Sequence, residues 1–510
     1  MPSIHVALVS LYVIENSGIR TLAAVLRRNG HKVTEIYFKD WINNRIEWPS
    51  EKELANLSAV LQDRNVDLVG LSVRASAFID IAVHMTERIR RDVGVPIIWG
   101  GIHATSVPDE CIQAADAVCV GEAEQALAQF VDRFAAERRV PEDIPNFWVR
   151  TEHGVVRNEV APLCTDLDSL PFKDYHSHED KFYLDGHRVK RGDPGRNDRM
   201  YLIMASRGCL YSRCSFCINT MLNKVYPGGY RYRRRSVANV IDELVYAKKH
   251  LPKLKRIRFD DEIFPLDRDW VDEFCEAYAA RVGLPFECHL HPTFYSERNL
   301  RKLKAVGLDS VAIGVETSER VARTWYNRKE TTEDVLKAAS VLHRLRLKAC
   351  YQVIMDDPVA TEEDRRRLFD LLLQIPRPYE LYLFSLTLYP GTDLTTRFLK
   401  EGLATADDVE GRAKKVFTQF RVDLSYPRPR EETFWIALLV LVSKDFVPKP
   451  LLKRLSRSEH ARRHVGVLVA AAQAANLIKM STIAMEMVLK GEMSVALLRR
   501  WLNLRSLITQ

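Results

Sequence analysis

Short, almost entirely apolar segments alternate with helical patterns throughout the first 137 residues, and this alternation constrains the fold more than any other feature. Strands this apolar are buried on both faces, which is typical of a parallel sheet covered by helices on each side. The pattern predicts an α/β fold that begins with a doubly wound, Rossmann-like domain over residues 1–137. The predicted strands are 4–10, 31–38, 66–73, 96–100 and 117–120, and the predicted helices are 18–29, 51–63, 80–92, 107–114 and 122–136.

A second alternation begins at Tyr201 and contains six strand candidates separated by helical patterns. Repeated βα units of this kind predict a partial (β/α)6 TIM-like barrel over residues 199–400. The predicted strands are 201–205, 255–260, 286–291, 310–315, 348–354 and 381–388, and the predicted helices are 237–250, 268–281, 296–306, 330–345 and 361–374.

The segment between the two alternations, residues 138–198, loses both patterns. It is interrupted by an Asp193-Pro-Gly turn signal and by four prolines, Pro141, Pro145, Pro162 and Pro171. We interpret it as a bridging segment that contains a small hairpin around 147–156. It marks a predicted domain boundary.

Residues 401–510 show helical periodicity, with apolar stretches at 434–442 and 465–478. We expect a helical C-terminal region whose apolar stripes pack against the barrel. A membrane-facing or lipid-substrate role is the alternative. The basic stretch 449–464 is interpreted as a solvated helix face, with binding to an acidic or lipid headgroup as its alternative.

The N-terminus lacks the basic region and the small-residue cleavage site of a signal peptide. No uncharged apolar run of about 18 residues follows it. The nine cysteines in 510 residues do not form a disulfide framework, and a net charge of +8 is too mild to require nucleic acid. The sequence predicts a cytoplasmic protein without a transmembrane segment or a nucleic-acid partner, and peripheral membrane contact stays open.

Three cysteines follow the first predicted barrel strand closely, in Ser206-Arg-Gly-Cys209-Leu-Tyr-Ser-Arg-Cys214-Ser-Phe-Cys217. Thiolates suit iron–sulfur clusters, and three of them can hold three irons of a cubane and leave the fourth iron open for a substrate. A zinc site or buried thiols are the alternatives, although structural zinc favours four ligands at other spacings. Cys209, Cys214 and Cys217 are the predicted ligands of a [4Fe-4S] cluster.

This loop resembles that of the radical S-adenosylmethionine (SAM) superfamily, in which three and then two residues separate the cysteines and an aromatic residue precedes the last one. Phe216 occupies the aromatic position here, but four residues lie between Cys209 and Cys214. The resemblance implies a SAM-binding barrel in which Phe216 flanks the adenine. We expect the additional residue to change the loop geometry rather than the ligands.

Reactive groups in TIM-type barrels come from the carboxyl ends of the strands, and all six predicted strands end on such residues. In chain order these are the cysteine loop, Asp260-Asp261-Glu262, His289 with His291, Glu316-Thr317, Asp356-Asp357 and Tyr389-Pro-Gly391-Thr392. By resemblance, Asp260 and Asp261 meet the methionine amine of SAM, and Glu316 meets its ribose. Surface carboxylates that cap helices are the alternative.

Two strand ends depart from the family pattern. Many relatives have Gly-Leu-Pro-Gly-Glu-Thr after the fifth strand, where this chain has Met355-Asp356-Asp357-Pro358. An acidic pair would change the charge of the active site, so Asp356 is a possible substrate contact. His291 is another, and a core histidine with satisfied hydrogen bonds is the alternative for His289 and His291.

The first domain resembles the cobalamin (B12)-binding domain that precedes the barrel in one large subgroup of this superfamily. The matching stretches are 18–31, 70–73, 99–105 and 121–124. Glycines at a strand end allow a large flat ligand to approach the backbone, and the Ser72 hydroxyl can meet a buried nucleotide tail. The cobalamin contacts expected here are Ser72, Gly100, Gly101, His103, Thr105, Gly121 and Glu122.

The loop after the first strand differs from that of many cobalamin proteins, which place a cobalt-ligating histidine there in an Asp-x-His-x-x-Gly motif. Residues 10–18 contain no histidine. Bound cobalamin is therefore expected to be base-off, without a histidine ligand from this loop. A cobalamin-type fold that has lost its cofactor is the alternative.

The resemblance implies a [4Fe-4S] cluster, SAM and cobalamin as cofactors, which carry the hard chemistry, and an electron donor such as flavodoxin or ferredoxin. A 5′-deoxyadenosyl radical and methylcobalamin would together methylate an unactivated carbon of a small natural-product or lipid-like substrate. Radical ring formation, oxidation or rearrangement without methyl transfer is the first alternative. An RNA-modifying enzyme, suggested by the basic run 230–235, and a non-enzymatic cluster and cobalamin sensor are the others. No catalytic side chain is assigned.

Overall fold

The computed structural model describes residues 2–40, 47–186, 188–411, 424 and 427–489. The chain divides into two compact units. The first unit comprises Met1–Cys288 and Thr387–Phe417, and the second comprises His289–Leu386 and Thr418–Gln510. The first unit thus contains the whole predicted Rossmann-like domain together with the beginning of the predicted barrel.

The N-terminal sheet of the first unit is wider than predicted. Its strands are β1 His5–Leu11, β2 Lys32–Phe38, β3 Leu68–Ser72, β4 Ile97–Gly100, β5 Ala117–Cys119, β6 Phe147–Thr151, β7 Gly154–Arg157, β8 Lys181–Asp185 and β9 Arg188–Arg191. They lie in the order β7-β6-β5-β4-β3-β1-β2-β8-β9. The five predicted strands are parallel, as expected. The predicted hairpin β6–β7 and the unpredicted hairpin β8–β9 extend the sheet at its two edges.

Helices cover both faces of this sheet, which confirms the predicted doubly wound arrangement. They are α1 Ser17–Arg28, α2 Glu51–Asp63, α3 Ile79–Asp92, α4 Ile102–Ser106, α5 Pro108–Ala114 and α6 Glu124–Glu137. Neighbouring residues of β1 contribute to two different cores, Ala7 and Val9 to one and Val6 and Leu8 to the other. A sheet with an apolar core on each face requires the continuously apolar strands that the sequence contains.

The rest of the first unit contains the beginning of the second alternation. Its elements are β10 Met200–Ile203, β11 Ser206–Arg207, α7 Ile218–Val225, β12 Arg233–Arg234, α8 Val237–His250, β13 Arg256–Phe259, α9 Arg268–Arg281 and β14 Phe286–Leu290, whose last two residues belong to the second unit. Strands β10, β13 and β14 are parallel neighbours, and β11 pairs with β12 in an antiparallel ladder. Helices α8 and α9 begin and end at the predicted residues.

The second unit continues the alternation with α10 Glu297–Ala305, β15 Leu308–Glu316, α11 Glu319–Thr324, α12 Thr332–Arg344, β16 Lys348–Met355, α13 Glu362–Gln374 and β17 Glu380–Ser385. Strands β15, β16 and β17 are parallel neighbours. The next helix, α14 Asp393–Lys400, lies in the first unit. All six strands of the predicted partial barrel are therefore present, and their pairings within each unit are parallel.

Helices follow in the C-terminal part of the second unit, as predicted: α15 Arg430–Val442, α16 Lys449–Ser456, α17 Glu459–Arg463 and α18 Val465–Leu489. The apolar stretch 434–442 is buried in α15, which packs against α13 and α18. Val465–Glu486 is long and apolar enough to cross a membrane by length and composition alone, a test that core helices of soluble proteins also pass. Of the predicted helical region, residues 412–423, 425–426 and 490–510 lie outside the described residues.

Candidate functional site

The predicted cluster loop connects β11 to α7 in the first unit. Cys217 immediately precedes α7, its N–H donates to the carbonyl of Cys214 at 2.9 Å, and its own carbonyl accepts from the N–H of Thr220 at 3.0 Å. The thiols of Cys209, Cys214 and Cys217 are all partly exposed. The positive end of a helix dipole favours a thiolate, so the start of α7 is a suitable place for a metal ligand.

Five of the other six cysteines are buried, and only Cys164 is partly exposed like the three in the loop. Burial raises the pKa of the Cys111 and Cys119 thiols to about 12, which opposes formation of the thiolate. Three accessible thiols in one loop therefore fit a [4Fe-4S] cluster with one open iron. Within the described ranges, no three Cys, His, Asp or Glu side chains already converge at metal-binding distances, so the ligand assignment stays a prediction.

The additional residue between the first two cysteines is accommodated by a left-handed backbone conformation. Ser212 has a φ of 45°, and the amide of Asn223 donates to its carbonyl at 3.3 Å and to its hydroxyl at 3.1 Å. At the start of the loop, Gly208 has a φ of 82°, and a Cβ there would lie 2.7 Å from the Arg231 carbonyl oxygen. The loop therefore contains two residues with left-handed backbone, Gly208 and Ser212, and the effect of the longer spacing on the ligand set stays a prediction.

The two aspartates after β13 have different surroundings. Asp261 is fully buried and accepts hydrogen bonds from the N–H of Ala205 and from the hydroxyl of Ser206. Burial raises the pKa of its carboxyl to about 7. Asp260 is partly exposed and accepts from Arg258 at 2.9 Å. Asp261 thus anchors the approach to the cluster loop, whereas Asp260 is the more accessible carboxylate for an amine.

The segment after the sixth strand returns to the cluster loop. The N–H of Leu394 donates to the Ser215 carbonyl at 2.8 Å, and Lys224 donates to the Gly391 carbonyl at 2.9 Å. Within the first unit, the predicted strand-end motif Tyr389-Pro-Gly391-Thr392 therefore supports the residues that surround Cys214 and Cys217.

A cavity of about 410 Å³ lies along one face of the parallel strands β1, β3, β4 and β5, entirely within the first unit, and it reaches the carboxyl ends of β3, β4 and β5. Apolar side chains of these strands and of α1 and α6 form most of its wall. Five of the seven predicted cobalamin contacts line it: Ser72, Gly100, Gly101, Gly121 and Glu122. Sequence reasoning missed Met204, Arg207, Tyr230 and Glu262, which the barrel half of the unit contributes. A crevice at this edge of a parallel sheet fits a large, flat cofactor.

The other two predicted contacts, His103 and Thr105, are buried behind the cavity wall. Nδ1 of His103 lies 3.0 Å from the Ser76 hydroxyl, and the hydroxyl of Thr105 accepts from the N–H of Gly121 at 3.0 Å. Gly101 has a φ of 105°, and a Cβ there would lie 2.8 Å from the Val73 carbonyl oxygen. These residues shape the glycine loops that line the cavity.

The loop at 10–18 is closed by neutral hydrogen bonds. The Asn16 amide donates to the hydroxyls of Ser10 at 2.9 Å and Ser72 at 3.1 Å, and its oxygen accepts from the first turn of α1. No residue of this loop is a histidine. The loop therefore presents hydroxyl and amide groups, rather than an imidazole, beside the predicted nucleotide-tail residue.

A charged network joins the cavity wall to the cluster loop. The carboxylate of Glu122 accepts from Arg233 at 2.6 and 2.9 Å and from the Tyr230 hydroxyl at 3.1 Å. Arg207, two residues before Cys209, contacts Glu124 at 2.5 Å and Glu122 at 3.4 Å. The hydrogen bonds and cations lower the pKa of Glu122 despite its burial. The basic run 230–235 was the available sequence signal, but Glu122, the partner of Tyr230 and Arg233, lies more than 100 positions away.

In the second unit, Glu316 and His291 are both buried. Burial raises the pKa of the Glu316 carboxyl to about 7, although Arg328 lies 3.2 Å away. Burial and Arg328 lower the pKa of His291 to about 3, and its Nε2 is 3.6 Å from Glu330. His291 is therefore a neutral, buried side chain near neutral pH, and both its assignment as a substrate contact and the alternative of a core histidine stay predictions.

The two aspartates after β16 have different partners. Arg428 donates to the two carboxylate oxygens of Asp356 at 2.6 and 3.0 Å, and Ser385 donates a further hydrogen bond. Asp357 is buried and accepts from the Tyr326 hydroxyl at 2.7 Å. The sequence analysis missed Arg428 because no motif near this residue indicates that it binds Asp356, which lies 72 positions earlier. Asp356 therefore adds little net charge to this end of the sheet.

Two family sequence models match the chain: the B12 binding domain over residues 5–131 and the Radical SAM superfamily over residues 203–372. A curated relative, bacteriochlorophyllide d C-8(2)-methyltransferase of Chlorobaculum tepidum, is 22% identical over 370 residues, which cover 68% of this chain and 72% of that protein.

Two solved structures are similar in fold. The radical SAM methyltransferase TsrM from Kitasatospora setae, with cobalamin and a [4Fe-4S] cluster bound, has a TM-score of 0.61 at 20% identity and covers 79% of each chain. The cobalamin-dependent radical SAM enzyme OxsB, with aqua-cobalamin and SAM bound, has a TM-score of 0.65 at 16% identity and covers 98% of this chain and 84% of OxsB. Both similarities support the fold that the geometry defines.

Proposed function

Because this chain belongs to the radical SAM enzymes that carry a B12-binding domain, we propose that it methylates an unactivated carbon of a small, largely apolar molecule. Its cofactors are a [4Fe-4S] cluster, SAM and cobalamin. When bound, they supply a reducing electron, a source of radical chemistry and a methyl carrier. The donor set of the cluster loop and the glycine-lined cavity both fit these groups.

The observation that carries this proposal is the composition of the cavity wall. Residues of the Rossmann-like fold and of the barrel line the same cavity, and Arg207 connects that wall to the cluster loop two residues before Cys209. An enzyme that only bound cobalamin, or only cleaved SAM, would not require this connection. Methyl transfer requires the methyl carrier and the radical source to act on one substrate.

The side chains of the chain have separable tasks in this proposal. Cys209, Cys214 and Cys217 hold the cluster, and Asp261 fixes the entry to their loop through Ser206. Asp260 is the accessible carboxylate for the SAM amine. In the second unit, the Glu316 carboxyl, with a pKa of about 7, would meet the ribose hydroxyls.

The proposed substrate class comes from the names of two relatives. The curated relative is named a methyltransferase of a bacteriochlorophyllide, and TsrM is a methyltransferase whose structure holds tryptophan. The bacteriochlorophyllide and tryptophan are both small molecules with apolar rings. We propose a natural-product or lipid-like methyl acceptor, with an external reductant such as flavodoxin or ferredoxin, and we place the reaction in the cytoplasm.

The test starts with the full chain, purified anaerobically and reconstituted with iron, sulfide and hydroxocobalamin. We expect about four irons per chain and retained corrinoid absorption bands. The Cys209→Ala/Cys214→Ala/Cys217→Ala variant should lose the iron, whereas Cys164→Ala, which removes another partly exposed thiol, should keep it. Iron that stays in the triple variant would refute the ligand assignment.

The reaction itself is tested with SAM that carries a deuterated methyl group, a chemical reductant and a panel of apolar acceptors. Methylation predicts S-adenosylhomocysteine, 5′-deoxyadenosine and a labelled product. Production of 5′-deoxyadenosine with an altered but unlabelled substrate would contradict methylation. It would favour ring formation, oxidation or rearrangement, which is the second candidate.

A further inference from the structure

Helix α18 is unusually apolar for a helix that is mostly exposed. Val465–Glu486 has a mean hydropathy of 1.4, yet only 22% of this window is buried. The buried part includes Val465, Leu468 and Ala472, and the helix packs against α15. A helix that is apolar on all sides is usually enclosed by protein or lipid. The outer side of α18 therefore has the composition of a covered surface.

The exposed apolar side chains of α18 form a stripe. Val467, Ile478, Met485 and Leu489 are 71%, 56%, 64% and 82% exposed. Their spacings of 11, 7 and 4 residues place them on one side of an α-helix. A 25-residue helix is about 38 Å long, so this stripe exceeds the scattered apolar residues of an ordinary soluble surface.

The segment that leads into α18 is cationic. Four exposed cations, Lys453, Arg454, Arg457 and Arg463, lie in residues 449–464, where Glu459 is the only carboxylate. Two exposed apolar side chains accompany them: Phe446 is 52% exposed and Leu451 is 46% exposed. Cationic groups bordering apolar side chains are typical of helices that lie on anionic membranes.

A cavity of about 510 Å³ connects these two features. Arg430, Arg463, His464 and Val467 line it at the first turn of α18. The amide end of a helix and two guanidinium groups attract an anion, and Val467 begins the apolar stripe. The cavity therefore lies where a phosphate headgroup would meet the start of an acyl region.

We propose that this face of the second unit docks on an anionic membrane surface. Helix α18 lies in the plane of the interface, with its apolar stripe among the acyl chains and the cations of α16 and α17 at the lipid phosphates. It does not cross the bilayer in the folded protein, because its buried stripe is packed against α15. A second copy of the chain would bring the same positive charges to the contact, which disfavours self-association.

The experiment measures binding of the reconstituted full-length protein to vesicles by co-sedimentation. Vesicles that contain phosphatidylglycerol should bind the protein about tenfold more tightly than vesicles of phosphatidylcholine alone, and salt should weaken this preference. Val467→Ser/Ile478→Ser/Met485→Ser should reduce binding to both vesicle types at least tenfold. Arg454→Glu/Arg457→Glu should abolish the preference for the anionic vesicles.

Matched controls separate this face from the general surface. Val189→Ser/Leu399→Ser/Leu403→Ser removes three apolar side chains that are 42%, 43% and 43% exposed in the first unit, and it should leave binding unchanged. Arg188→Glu/Lys190→Glu reverses two exposed charges there and should also have no effect. Circular dichroism and corrinoid content verify that each variant is folded.

Three results would overturn the proposal. They are the absence of vesicle binding by the wild type, equal binding by the triple serine variant, and equal loss of binding in the control variants. Light scattering provides a further outcome: a wild-type dimer that the serine variant converts to a monomer, without any vesicle binding, would show that a second copy covers the stripe. None of these readouts depends on methyl transfer, so they stand apart from the proposed function.

Discussion

Glu122 of the first unit follows the parallel strand β5, and Glu316 of the second unit is the last residue of the parallel strand β15. Each carboxylate contacts an arginine. Their ionisation nevertheless moves in opposite directions. The pKa of Glu122 is lowered, whereas that of Glu316 is raised to about 7. Burial disfavours the charge of each carboxylate, so the difference arises from what surrounds the arginines.

Glu122 has several donors, and among the described ion pairs its closest cation, Arg233, pairs with no other carboxylate, whereas Arg207 also binds Glu124. Arg233 binds it through two hydrogen bonds, Arg207 approaches it, and the Tyr230 hydroxyl adds a third donor. Glu316 has Arg328, but that guanidinium also binds Glu330, whose negative charge opposes ionisation of Glu316. A cation stabilises a buried carboxylate fully only when another anion does not share it. The next four variants, in order of decreasing effect, test this explanation.

The largest effect is expected from Arg233→Met, which leaves the Glu122 carboxylate without its bidentate partner. Breaking a largely buried ion pair by removing one side chain costs about 3–5 kcal/mol. The free energy of unfolding, measured with denaturant, should fall by an amount in this range. Because Glu122 lines the cavity, the corrinoid content should fall as well.

Arg231→Met is the matched control, because Arg231 is exposed and its side chain donates to the nearby Gly228 carbonyl. It should change the unfolding free energy by less than about 0.5 kcal/mol. Similar losses in the two variants would mean that the basic run acts through its total charge rather than through the Glu122 pair.

The second effect concerns pH. The folded chain holds a proton on Glu316 up to about pH 7, whereas the unfolded chain releases it near the ordinary value of 4.5. The folded state therefore binds more protons in this window, and Glu316 destabilises the fold as pH rises through it. The glutamine side chain of the Glu316→Gln variant cannot ionise. Between about pH 5 and about pH 8, the free energy of unfolding of this variant should therefore fall by about 2 kcal/mol less than that of the wild type.

Denaturant unfolding of the cofactor-free protein at a series of pH values measures this difference. Glu333→Gln, at a carboxylate that is 75% exposed, is the control and should keep the wild-type slope. A slope in Glu316→Gln that equals that of the wild type would assign the pH dependence to other carboxyls, of which Asp261 is the first to test because burial raises its pKa to about 7.

A smaller effect should follow from Glu330→Gln, which makes the environment of Glu316 more like that of Glu122. Arg328 then no longer shares its charge with a second carboxylate, and the pKa of Glu316 should fall towards its ordinary value. We expect the loss of stability between about pH 5 and about pH 8 to shrink by about 1 kcal/mol. A steeper loss would contradict the assignment of Glu330 as the opposing charge.

Most of the fold could be predicted because each strand and helix leaves a pattern within its own stretch of sequence. Each apolar strand of the first sheet, and each reactive strand end, is a pattern contained within a few neighbouring residues. The hairpin β8–β9 was missed because both of its strands are short and β9 is largely polar. Its pairing with β2 involves residues almost 150 positions earlier.

The candidate sites show the same limit. The cysteine spacing and the glycine loops identified the cluster loop and five of the cavity residues, since each motif is continuous in sequence. Arg428 and Arg233 could not be predicted as partners, because a guanidinium gives no signal of the distant carboxylate that it binds. The sequence shows that α18 contains an apolar stretch. The packing of α18 against α15 is needed to show which side of the helix is exposed.

The smallest effect is expected from Tyr230→Phe, which removes one hydrogen bond to Glu122 and keeps the ring beside Arg233. A hydrogen bond of this kind contributes about 1 kcal/mol, and the two bonds from Arg233 remain. The pKa of Glu122 should rise slightly, so the stability that this carboxylate provides above its unfolded pKa should disappear at a higher pH during acid titration. Tyr183→Phe, which removes a similar bond to Asp185 at 2.9 Å, is the control and should leave the corrinoid content unchanged. If Tyr230→Phe were as costly as Arg233→Met, the hydroxyl rather than the Arg233 ion pair would determine the ionisation of Glu122, and the contrast with Glu316 would need another cause.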